Sequence, residues 1–128
     1  MSGATSVRVA GHDLPAVLDL LEPLPGLPGR TSYELEALDE GGVLFALRSR
    51  EPQAAPARLF VVDPSVPFPD YTPDLGSDQA VALVVVHPPT DRSAATANLL
   101  APLVVDIATG RAHQRVLDED WPLHAPLG

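Results

Sequence analysis

Cysteine is absent from this chain of 128 residues. That excludes disulfide staples, thiolate nucleophiles and Cys-based zinc sites, and it fits a reducing compartment. Lysine is absent too, so all eight basic residues are Arg. Seventeen Asp and Glu oppose them, for a formal net charge of -9. Such a surface repels a phosphate backbone, which argues against direct nucleic-acid binding, and it steers a basic protein partner inward. The same charge also serves solubility. Long apolar runs are missing: Ala80–Val86 is among the longest, far short of the roughly 18 residues a membrane helix needs. The opening MSGATSVRVAGHD has no basic stretch followed by an apolar core, so no signal peptide is expected. The plain expectation is a soluble cytoplasmic protein with no membrane partner.

Proline, by contrast, is abundant. Fifteen prolines argue against a helical bundle, because each removes a backbone donor and clashes with the preceding turn. Tyr33, Leu35 and Ala37 alternate with Ser32, Glu34 and Glu36, the period of a half-buried strand. Asp39-Glu40-Gly41-Gly42 then turns the chain into Val43–Leu47, a hairpin. Arg58–Asp63 and Ala80–His87 are continuously apolar and read as buried strands. Val7–Val9 suits a short edge strand, His12–Pro15 a turn, and Val17–Leu21 a strand or a single helical turn. In Thr96–Asp106 (TANLLAPLVVD) a helix would bury Pro102 in its interior at a cost of about 3 kcal/mol. Two short strands, Leu99–Ala101 and Leu103–Val105, bent at Pro102, suit those residues better, with Leu99, Leu100, Leu103 and Val105 facing the interior. Thr109-Gly110 turns the chain into a returning strand, Arg111–Leu117. About eight short strands separated by Pro- and Gly-rich loops predict an all-β, mostly antiparallel barrel or sandwich, a single domain over residues 1–128 with residues 1–5 frayed.

No constellation of catalytic residues emerges. His12, His87, His113 and His124 stand far apart in sequence and form no HExxH or Glu-x-x-His pattern. The acidic clusters Asp39-Glu40 and Asp118-Glu119-Asp120 fall in turns, where solvation is their default role. Asp70 and Asp74 flank Tyr71 without the Asp/Asn-Gly order of a calcium loop. No phosphate-cradling glycine pattern and no nucleophile elbow occurs. The expectation is a binding protein with no enzymatic activity, no cofactor and no metal. Its candidate partner-binding residues are Asp70 and Tyr71 in a proline-rich loop, Asn98 at the start of an apolar run, and Asp118, Glu119 and Asp120 beside Trp121. Each also has a structural reading: Tyr71 as a plug at the end of the barrel, Asn98 as a backbone-satisfying amide, the acids as solvated turns.

Several motifs, in order, resemble the flagellar assembly factor FliW family. They are Glu22-Pro23-Leu24-Pro25-Gly26-Leu27-Pro28, Phe60-Val61-Val62-Asp63-Pro64, Phe68-Pro69-Asp70-Tyr71, Thr96–Asp106, Gln114–Asp118 and Trp121–Leu127. The resemblance implies a small β-barrel-like protein that binds newly made flagellin in the cytoplasm. It also implies binding to the RNA-binding regulator CsrA, lifting its repression of flagellin translation, with the two partners competing. Two departures stand out. Only Thr72–Gln79 occupies the place where the family usually carries a longer acidic, partly helical insert, and Leu27 stands where an aromatic is common. The alternative from a different class is a small-ligand-binding β-barrel without enzymatic activity, since barrels of this size can hold one small molecule.

Overall fold

Eleven strands and no helix form among residues 6–24, 26–51, 55–76 and 78–127, the residues described in the computed structural model. The expected fraying of residues 1–5 lies outside them. In chain order the strands are β1 (Ser6–Val9), β2 (His12–Pro15), β3 (Val17–Leu20), β4 (Ser32–Ala37), β5 (Leu44–Ser49), β6 (Arg58–Val62), β7 (Ala80–His87), β8 (Thr96–Ala97), β9 (Leu103–Asp106), β10 (Arg111–Gln114) and β11 (Ala125–Pro126). Strands β3 to β7 run as an antiparallel meander. Strand β9 pairs antiparallel with both β7 and β10. One parallel pairing, β10 with β3, closes the ring, so seven strands form a closed all-β barrel. Closure removes the exposed edges that would otherwise template aggregation.

The apolar runs bury on two faces. Leu18, Tyr33, Phe45, Leu47, Val61, Leu83, Leu103 and Val105 fill the interior, joined by Val9 and Leu14 from the β1–β2 hairpin. Their neighbours in sequence point the other way: Val62 and Val84 join Tyr71, Ala97, Leu99, Leu117 and Ala125 in a second apolar cluster. Two-sided burial is why Arg58–Asp63 and Ala80–His87 read as continuous rather than alternating apolar runs.

Three expectations need correction. His12–Pro15 is strand β2, not a turn. The reversal comes two residues earlier, where Ala10 and Gly11 both take positive φ (51° and 82°), the geometry of a two-residue hairpin loop. Leu99–Ala101 is not a strand; strand pairing occurs instead at Thr96–Ala97. Strand β7 uses Val86 and His87 to pair with β8 but Ala80–Leu83 to pair with β9. The five residues Asn98–Pro102 therefore loop out from the ladder opposite Val84 and Val85, which makes them a large bulge. Leu99 consequently packs in the outer cluster rather than the interior, and Leu100 is half-buried. The returning strand also ends at Gln114 rather than Leu117.

Candidate interaction surface

The carbonyls from Leu99 to Pro102 have no ladder partner across the bulge, and buried carbonyls without partners are costly. The chain supplies a separate donor for each of four consecutive carbonyls. The Tyr71 hydroxyl donates to Leu99 O at 2.6 Å, and Leu117 N–H to Leu100 O at 2.9 Å. The Gln114 side-chain amide donates to Ala101 O at 3.2 Å, and Arg115 N–H to Pro102 O at 3.0 Å. Asn98 holds the turn itself: its N–H donates to Val85 O, and its side-chain oxygen accepts the Ala101 N–H at 3.0 Å. The bulge is thus the point where the proline-rich loop, strand β10 and the C-terminal segment meet.

On the outer side, Tyr71 lies edge-on to Trp121, with ring centres 4.7 Å apart and planes at 85°. The Trp121 indole N–H donates to the Glu119 carboxylate at 2.9 Å. This contact brings the loop bearing Asp70 against the segment bearing Asp118, Glu119 and Asp120, and all four acids are exposed. Tyr71 itself is only 7% exposed and Asn98 only 8%. Burial pushes the Tyr71 phenol well above its ordinary range, with the nearby Glu119 charge adding to the shift. Of the six residues singled out in the sequence, four are exposed acids that form an acidic rim around the Tyr71–Trp121 contact, and two are buried, Tyr71 under that contact and Asn98 in the bulge.

Beside the bulge runs an open cleft of ≈ 280 Å³ lined by Leu24, Leu27, Leu59, Val85, His87, Asn98 and Gln114. One wall is the proline–glycine segment that carries Leu24 and Leu27. The opposite wall is formed by the ends of β6 and β7, where Leu59 continues the inward-facing row of Val61, and Val85 and His87 that of Leu83. The cleft lies at one mouth of the barrel, whose interior is occupied by side chains such as Tyr33, Phe45 and Leu103, all fully buried. Sequence reasoning singled out Asn98 among these lining residues but not Gln114, His87 or the leucines. Leu24, Leu27 and Gln114 fall within the ordered motifs, whereas Leu59 and His87 stand outside them. Among the described residues no group of three or more His, Cys, Asp or Glu comes together to hold a metal ion, and no helix is long and apolar enough to cross a membrane.

A protein-family model described as "FliW protein" matches residues 5–127. The chain belongs to the FliW family. The crystal structure of the flagellar assembly factor FliW superimposes with a TM-score of 0.72 at 19% identity, covering 96% of both chains. At that identity the likeness speaks for the fold, and the FliW barrel is the architecture found here. No curated protein matches the sequence.

Proposed function

We propose that this FliW-family protein is a flagellar assembly factor that binds flagellin in the cytoplasm and antagonises a CsrA-type translational regulator by protein–protein contact. Competition between the two partners would couple flagellin synthesis to export. The observation that carries this reading is the family match over residues 5–127. The net charge of -9 supports the regulator half, because an RNA-binding protein presents the opposite charge and is steered by such a surface. We assign the contacts to Asp70, Asp118, Glu119 and Asp120 on the rim, with Tyr71 and Asn98 holding the rim and the bulge in place. The role is one of binding, with no catalytic step and no cofactor.

Co-purification with flagellin of the same organism tests the first half, and absence of a complex at micromolar concentration would sink it. For the regulator, association should slow markedly from low to high salt, since exposed charges are screened beyond about 8 Å at physiological ionic strength. An association rate indifferent to salt, or unchanged by neutralising Asp118, Glu119 and Asp120 together as amides, counts against the acidic rim. The cleft is open to solvent at the mouth of a filled barrel, and its Asn98 side-chain oxygen and Gln114 side-chain amide are already engaged by the bulge, so the small-ligand alternative gains little support from it.

A further inference from the structure

His87 and His124 are distant in sequence, yet strand pairing brings them together. Strand β8 lies between β7 and β11: Ala97 pairs with Val86 on one side and with Ala125 on the other. The residue after Val86 and the residue before Ala125 are the two histidines. Their ring centres lie 4.9 Å apart with planes inclined at 46°. With metal–nitrogen bonds of about 2.0–2.1 Å, two imidazoles on one tetrahedral ion place their ring centres about 5 Å apart. The His87 Nε2 is buried and has no hydrogen-bond partner, an arrangement that leaves a strong acceptor or donor unused and calls for an explanation. His124 is exposed, so its ring can turn to admit an ion without disturbing the core.

We propose that His87 and His124 form a two-histidine site for a borderline divalent transition-metal ion of the Zn²⁺ or Ni²⁺ type. Neutral imidazole nitrogen is the donor such ions prefer. No third His, Cys, Asp or Glu joins the pair among the described residues, so water fills the remaining coordination positions and the affinity is micromolar rather than that of a structural zinc site. His87 also lines the cleft beside the bulge, and the ion therefore sits at the margin of that cleft. Its effect is to clip the C-terminal segment, which carries Trp121 and the acidic rim, onto strand β7. The inference stands apart from the choice of protein partner.

Titration of Zn²⁺ into the full chain, free of any affinity tag and followed by calorimetry, tests it. One ion per chain with micromolar affinity is expected. His124→Gln should weaken binding at least tenfold, as should His87→Gln, whereas His12→Gln should leave it unchanged. In parallel, substoichiometric Ni²⁺ should broaden the imidazole proton resonances of His87 and His124 before those of His12 and His113. Absence of binding at millimolar Zn²⁺ overturns the site, as does binding that survives His124→Gln. Because His124 is exposed, that variant decides the matter even if His87→Gln does not fold.

Discussion

Replacing Tyr71 by Phe removes one hydroxyl and leaves the ring, its contact with Trp121 and the surrounding packing in place. What is lost is the 2.6 Å bond to Leu99 O, at the short end of the range for O–H···O pairs. The carbonyl it leaves behind is buried in a bulge that has no ladder partner to substitute. A net loss of about 1–2 kcal/mol follows for a buried carbonyl deprived of its donor. For a domain of this length, that corresponds to a fall in Tm of about 4–8 °C. Tyr71→Ala removes the ring as well and should cost about 3–5 kcal/mol. A second signature lies in pH. The folded state holds the phenolic proton above its ordinary value of 10.0, chiefly through burial. The stabilisation is therefore complete below pH 10 and is lost as pH climbs beyond it. Tyr71→Phe has no proton to lose, so its stability deficit relative to the parent should shrink in alkali. Burial raises the Tyr33 phenol too, so some alkaline sensitivity remains in the variant. Thermal melts and urea unfolding across pH 7–11 measure both effects. A Phe variant as stable as the parent, or a deficit that widens above pH 10, refutes the role given to this hydroxyl.

Other perturbations separate backbone strain from packing and locate an acid-sensitive turn. Gly110 has φ +77°, and a Cβ there would lie 2.7 Å from Val17 O and 3.2 Å from two Pro15 carbons. Gly110→Ala should thus cost at least about 2 kcal/mol by denaturant unfolding. Gly29→Ala, at φ +76° with open space around it, should cost only the left-handed backbone contribution of about 1–2 kcal/mol; equal losses at the two sites would refute the clash. Asp106 accepts the Thr109 and Ala108 amides at 3.0 and 2.9 Å, and those bonds, Thr109 first, hold its carboxyl below the usual carboxylate value. Its contribution is present above pH 3.8 and is lost as pH falls through the lower folded value. A carbon-detected titration should find Asp106 ionised at pH 3.8, and a midpoint above that value would contradict the turn geometry.

Much of the barrel is legible in the sequence. Tyr33-Glu34-Leu35-Glu36 has the period of a strand with one wet face, and AVALVVVH, halted by two prolines, reads as a central strand. The bulge was not legible, because what diverts the chain at Asn98 is remote. Tyr71 donates from 28 positions away and Gln114 from 13, and neither contact leaves a local periodicity. Leu99-Leu100-Ala101 is apolar enough for a strand, and the local Asn98 side chain taking the Ala101 N–H does not by itself announce a bend. Tyr71 and Asn98 each carried two readings in the sequence, contact or support, and their burial agrees with the supporting one. The exposed acids at Asp70 and Asp118–Asp120 were simpler, since short polar turns leave carboxylates in water. The cleft draws its lining from five separate segments, and no stretch of sequence displays it.

The parallel pairing that closes the ring has a kinetic meaning. Each contact in the meander from β3 to β7 joins neighbours in sequence, whereas Asp19 meets Arg111 across 92 positions (111 minus 19) through a seam of only two residue pairs. Loop closure over that span must be met before the seam yields any contact, and rates fall as such distant contacts gain weight. The meander is therefore the natural nucleus, and the ring is sealed late. Mutations at Leu20 or Ala112 should quicken unfolding and leave the folding rate almost untouched, while truncations at Phe45 or Val61 should slow folding itself. The opposite partition in stopped-flow measurements would place the nucleus at the seam. During synthesis, the chain must then hold most of its barrel as an open, curled sheet until its last fifth emerges.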